Sequence, residues 1–291
     1  MEFDINLSPL IKFNNGSVKF KANALWNDSE VTSIYKQQEL NQLQIGGYNA
    51  ASNYAIVGLA AYQMRATDYV RDDQGRIIVN ATTGRPSTSS QNVNFGRTLP
   101  KWILGLNPSV NWKNFNLSAL FEHKGGHVVS FFGLGSDMAW TGVSEATIYN
   151  DRNPFILPNS VIADPNNPGK YIENTTAKIG EGKNNPIEAY YTGEFKNTAS
   201  NFIVSANQWR LRELSLTYVV PSTWLVARQK VIKGLSIALV GRNLALWLPK
   251  ANKFMDPEFD SMPDYQNAYG NINSDANPPV RNFGFTVNAK F

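Results

Sequence analysis

The sequence predicts an all-β protein, an antiparallel up-and-down β-barrel of the membrane-spanning kind. Three observations carry that prediction. The last nine residues alternate without an error: Phe283, Phe285, Val287, Ala289 and Phe291 are apolar, while Gly284, Thr286, Asn288 and Lys290 lie between them. Period 2 marks a strand with one apolar and one polar face. Hydrophobic residues make up 42% of the 291 residues and charged residues only 17%, with no apolar run of about 18 residues to make a spanning helix. Aromatic residues are abundant (Trp 7, Tyr 12, Phe 16) and recur at strand ends, as at the interfaces of a membrane barrel. The last strand of a soluble β-sandwich is the alternative for the C-terminal segment.

Taken in order, Phe3, Ile5, Leu7, Ile11 and Phe13 alternate with polar residues, and Pro9 makes the strand an edge or locally irregular. Asn14-Asn15-Gly16 is a tight hairpin turn. Val18, Phe20, Ala22, Ala24 and Trp26 return the chain. Residues 36–53 read as a polar loop, Tyr54 to Met64 as a weak strand, and Arg76 to Asn80 as a short one.

The next hairpin is clean. Trp102, Leu104, Leu106, Val110 and Trp112 share a face, Lys113-Asn114 turns, and Phe115, Leu117, Ala119 and Phe121 return. Trp102 and Trp112, with Tyr218 further on, are placed as lipid-interface aromatics. Residues 125–206 carry five prolines and read as a long outward loop. Gln208 to Val220 is a strand ended by Pro221, and 222–233 a short helix or turn. Leu235 begins a strand whose parity slips near Gly241-Arg242-Asn243, which a bulge explains. Residues 249–281 form a second long loop before the closing strand. About eight strands result, in one barrel region spanning 1–291. Counting back from a C-terminus on the inner side puts Asn14-Asn15-Gly16 outside, which suggests a further strand between 36 and 100.

The sequence excludes several chemistries. No cysteine is present, so disulfides, thiolate metal sites and Cys nucleophiles are out. The net charge of +4 is scattered, which gives no nucleic-acid footprint. His123 and His127 lie roughly 13 Å apart on an extended strand, too far to share a zinc ion without a sharp bend at Gly125-Gly126. Asp256, Glu258 and Asp260 offer oxygens for calcium, but the acidic loop turn is the simpler reading. Glu122 and Glu145 have no reason to meet as a catalytic pair. No phosphate loop or nucleophile elbow occurs. No enzyme and no cofactor are expected. Trp140, Tyr149, Tyr190, Tyr191, Tyr265 and Tyr269 stand among polar loop residues, either as contacts for cargo or a partner protein or as the loops' own small cores.

Several stretches resemble the C-terminal barrel region of SusC/RagA-type TonB-dependent outer-membrane transporters of Bacteroidota. These are Leu99-Pro100-Lys101-Trp102 with Gly105, then Trp112 to Ser118, Gln208 to Tyr218 with Pro221, Gly241-Arg242-Asn243-Leu244 followed by Asp256-Pro257-Glu258, and Asn282 to Phe291. The resemblance covers roughly residues 95–291. It implies the last strands of a 22-stranded plugged barrel in the bacterial outer membrane. It also implies a SusD-like surface lipoprotein as lid, glycan or peptide cargo, the barrel-assembly machinery, and a TonB complex acting on a plug. Phe283, Phe285, Val287 and Phe291 would be the closing-strand assembly signal. Met1-Glu2-Phe3-Asp4-Ile5 already reads as strand and has no signal-peptide pattern, so the expectation is the C-terminal part of a longer protein, with plug and signal upstream. A soluble β-rich carbohydrate- or protein-binding domain, or an outer-membrane barrel hydrolase, are the alternatives.

Overall fold

The chain alternates between two kinds of β-structure, and burial separates them. The computed structural model describes residues 1–35, 40–48, 50–228, 231–258, 270–272 and 279–291. Its strands in chain order are β1 (Glu2–Phe13), β2 (Gly16–Trp26), β3 (Gln42–Tyr48), β4 (Ala51–Ile56), β5 (Gln63–Ala66), β6 (Ile77–Ile78), β7 (Val93–Arg97) and β8 (Trp102–Trp112). Then follow β9 (Phe115–Gly125), β10 (Val128–Ser130), β11 (Ser160–Ala163), β12 (Tyr171–Glu173), β13 (Ile203–Ser205), β14 (Gln208–Val219), β15 (Gly234–Trp247) and β16 (Asn282–Lys290).

The long strands form one seven-stranded antiparallel sheet in the order β1-β2-β8-β9-β14-β15-β16, here called the wall. Every neighbour in it is also the next long strand in sequence, so it is an up-and-down meander. β1 and β16 are its two edges, so the wall does not close into a barrel. No described helix is long and apolar enough to cross a membrane.

Register lines the apolar positions up across all seven strands. One row runs Ile11, Val18, Val110, Leu117, Leu216, Leu239, Phe285. These side chains face solvent rather than a core, and Phe283 is 78% exposed. Alternation puts Lys21, Asn107, Ser118 and Thr286 on the other face. The wall is therefore apolar outside and polar inside, the reverse of a sheet that packs on a core.

The buried apolar residues lie elsewhere, and none belongs to a wall strand. Three clusters hold most of them: Val79, Phe155, Leu157, Ile179, Tyr190 and Tyr191; Val129, Phe131, Ala139, Phe202, Ala206 and Ile272; and Ala51, Met64, Ala66 and Ala199. They knit the segments between β2 and β8 and between β9 and β14 into a loop assembly. It contains the antiparallel sheet β3-β4-β5-β7, the sheet β12-β11-β6 with β11 and β6 parallel, the pair β10-β13 and the helix Phe132–Thr141.

Several expectations change. The weak strand from Tyr54 to Met64 is not in the wall: it divides into β4 and β5, which pair with each other inside the loop assembly. The 36–53 loop holds β3 and the start of β4. The supposedly irregular 125–206 stretch holds its own short strands and helices. With seven wall strands instead of eight, the turns after Phe13, Trp112 and Val219 all fall at one end, and the long segments 27–101, 126–207 and 248–281 at the other. The misplaced Asn14-Asn15-Gly16 turn thus reflects one strand too many, not one missed.

The expected bulge near Gly241-Arg242-Asn243 is present on β15, and β14 carries one of its own. β14 carries one residue more than β9 here, with Arg212 between the partners of Phe121 and Leu120. β15 in turn carries one more than β14, with Asn243 and Leu244 opposite Arg212 alone and Asn243 at a positive φ of 53°. β15 keeps its parity: Ala245 and Trp247 pair with Leu211 and Trp209 on the apolar face.

Candidate functional site

Alternation on β14 sends Gln208 and Arg210 to the polar face of the wall, opposite Trp209 and Leu211. Arg212, two residues beyond Arg210, puts a second guanidinium on that face by the same alternation, at the point where β14 gains a residue on β9. On the neighbouring β9, Lys124 and Glu122 stand across from Gln208 and Arg210. Into this patch the segment after β15 brings Asp256-Pro257-Glu258.

The contacts are dense. Arg210 reaches Asp256 at 2.5 Å and Glu258 at 3.3 Å. One Arg212 nitrogen lies 2.6 Å from each Glu258 oxygen and 2.5 Å from Glu122. Lys124 Nζ lies 2.6 Å from Glu258 and 3.7 Å from Glu122. Three cations meet three carboxylates, so the cluster is neutral overall. The Arg210 and Asp256 side chains are each only 5% exposed. Burial by itself would raise the Glu258 carboxyl. Hydrogen bonds from Arg212 and Lys124, with the charge of Arg210, outweigh it and hold Glu258 at about 2. Such a cluster is costly to break on one side, since a lone buried charge remains.

These partners bear on the calcium alternative. Asp256 and Glu258 are engaged by arginine and lysine, and Asp260 lies outside the described residues. No group of metal-binding side chains is found among the described residues. The histidines go separate ways. His123 stacks on Trp209 at 4.7 Å, with its Nδ1 2.7 Å from the Gln208 carbonyl. His127 is in the linker to β10, its Nδ1 buried without a partner, and burial, then the charge of Lys124, pushes it down to about 4.

The loop aromatics divide. Tyr190 and Tyr191 are buried in the loop assembly. The Tyr190 hydroxyl lies 3.4 Å from that of Tyr69, which accepts from Asn201 at 2.7 Å. Tyr149 is half exposed, edge-on to Phe155 at 5.1 Å. Together with Ala146, Leu157, Pro158 and Phe195, these tyrosines line an apolar pocket of about 170 Å³. Trp140 is 61% exposed, with the Lys196 ammonium 5.8 Å above its ring. Tyr265 and Tyr269 lie outside the described residues.

The wall aromatics form two rows. At the long-segment end, Trp26 stacks on Trp102 at 5.6 Å, and Trp209 pairs with Trp247. At the short-turn end, Trp112 pairs with Phe115, and Phe115 packs on Tyr218 at 4.8 Å. Phe283, Phe285, Val287 and Phe291 are all exposed on the edge strand or just past it. Sequence reasoning did not single out Trp26 or Trp247 as members of the upper row, nor Lys124, Arg210 and Arg212 as partners of Asp256-Pro257-Glu258.

No protein-family model and no curated protein matches the chain. Solved structures do. "Structure of the RagAB peptide transporter" matches at TM-score 0.59 and 15% identity over 98% of this chain. The RagAB peptide importer matches in its open-open state at 0.59 and 17% over 100%, and in its closed-closed state at 0.56 and 17% over 96%. In each case the chain spans 28% of the length of the RagAB chain. At this identity the likeness concerns fold: the wall with its long-segment assembly is similar to part of a RagAB transporter chain.

Proposed function

We propose that this chain forms part of the wall and outward loops of a SusC/RagA-type TonB-dependent transporter in a bacterial outer membrane. The observation that carries the reading is the inverted wall. Its outer face is continuously apolar and its inner face polar, and aromatic rows bound the apolar band. From Trp102 to Trp112 a strand rises about 33 Å, and a tilt of about 40° brings the height to about 25 Å, the apolar band of outer-membrane barrels. Lipid would cover the exposed face that no described element packs against.

In this reading further strands complete the barrel along the edges β1 and β16. TonB drives import through a plug, the barrel-assembly machinery inserts the protein, and a SusD-like lipoprotein meets the outward loops, as the RagAB likeness supports. Cargo is a peptide or glycan, and the chain is a conduit without catalytic residues. Trp140 and Tyr149 are the loop aromatics placed to meet cargo or lipoprotein.

The test is fractionation of cells expressing the protein at its natural length. Recovery in the outer membrane, released only by detergent, is expected. A monodisperse protein in the soluble fraction would sink the reading and favour a soluble β-rich binding domain, which the three loop cores would also suit.

A further inference from the structure

The wall and the loop assembly are joined at a kinked hairpin. β9 and β14 pair as far as Lys124 and Gln208, and the same two chain segments pair again as β10 and β13. Between them lie Gly125-Gly126-His127 and Ala206-Asn207. Gly126 has a φ of 78°, in the left-handed region that glycine enters without cost. A few bonds cross the kink: Gly126 N–H donates to Asn207 Oδ1 at 2.8 Å, and Ala206 N–H to the His127 carbonyl at 3.0 Å. Two short linkers side by side, one with paired glycines, make a hinge axis.

A third segment spans that axis. Phe254 packs on Phe131 at 5.2 Å and on Phe202 at 6.1 Å, both beyond the kink in the loop assembly. Two to four residues later, Asp256 and Glu258 are clamped by Arg210, Arg212 and Lys124 on the wall side. The span is stiffened internally. Asn252 donates to the Met255 carbonyl at 2.9 Å and accepts from Phe254 N–H at 3.1 Å, and Glu258 N–H donates to Asp256 at 3.0 Å.

We propose that residues 254–258 are a brace across this hinge, fixing the angle of the loop assembly over the polar face of the wall. Arg212, on the polar face with Arg210, is the wall-side socket, holding both oxygens of Glu258. Releasing the brace leaves the two linkers at the kink, with the bond from Lys101 N–H to the Gly125 carbonyl at 2.9 Å beside them, and the assembly swings. That the polar face borders a lumen rests on the transporter reading above; the brace itself does not.

The experiment is hydrogen–deuterium exchange on the natural-length protein, wild type against an Asp256→Asn/Glu258→Gln double variant. In the variant, amides of 128–131, 203–207 and 254–258 should exchange at least tenfold faster. Those of β1, β2, β15 and β16 should be unchanged, and the protein should reach its normal location. Unchanged exchange at 128–131 and 203–207 would overturn the proposal, as would an equal rise throughout the wall, which would mean a merely structural ion cluster. If the double variant does not fold, Phe254→Ala releases the other end with every charge intact and should give the same regional pattern; loosening confined to 254–255 would overturn the brace. In cells, the released brace should admit several-fold more of a fluorescent solute above porin size. A soluble location with the expected exchange pattern would refute the transporter reading and leave the brace standing.

Discussion

Arg212 holds both oxygens of the Glu258 carboxylate at 2.6 Å, from the point where β14 carries one residue more than β9. Alternation along β14 thus puts Arg210 and Arg212 on one face, and the segment after β15 delivers the carboxylates they meet.

The Glu258 contact has a definite pH dependence. Its carboxyl is depressed from 4.5 to about 2, so its stabilisation is fully present above about 4.5 and is lost as pH falls through about 2. After discounting for solvent screening, the contribution is on the order of 2 kcal/mol. Denaturant titrations at pH 5 and pH 2 should show a loss in the wild type that Glu258→Gln largely abolishes.

His127 acts at higher pH. Burial pushes it from 6.5 down to about 4, so the unfolded chain binds its proton first. Stability should fall as pH drops from about 6.5 to about 4 and then level off on this account. The effect is on the order of 3 kcal/mol, and His127→Gln should flatten that limb of a stability-against-pH curve.

The two faces of β16 should respond oppositely to charge. Phe285 lies in the mid-height apolar row, so Phe285→Arg should cost about 2–4 kcal/mol if lipid covers that face. Thr286, one residue on, faces the other way, and Thr286→Arg should be tolerated. Membrane levels of the two variants compare them directly, and equal loss would count against a lipid-facing row.

Gly135 sits in the helix Phe132–Thr141 against the Phe202 ring, where an added Cβ would come within 2.2 Å of Cδ1. Phe202 is fully buried and cannot turn aside. Gly135→Ala should cost about 1–3 kcal/mol by overpacking, read as a lower melting temperature of the loop assembly with the wall unaffected.

The wall was legible in the sequence because period 2 is a local property. Phe283 to Phe291 shows its two faces without reference to any partner, and Trp102 and Trp112 mark the strand's ends by type alone. The paired turns at Asn14-Asn15 and Lys113-Asn114 needed only adjacent residues. The loop assembly was not legible, because β4, β5 and β11 are short and their burial comes from all sides, so no alternation survives in Ala51, Met64, Ala66 or Val161. The sequence by itself therefore determined the strands, their two faces and their aromatic limits. Only the tertiary structure decided that Tyr54 to Met64 leaves the wall, that Tyr190 and Tyr191 turn inward, and that Arg210 and Arg212 meet Asp256 and Glu258. The physical reason is that alternation is fixed by backbone geometry within a few residues. A charge carries no address, and its partner is chosen by whichever segment the fold delivers within reach.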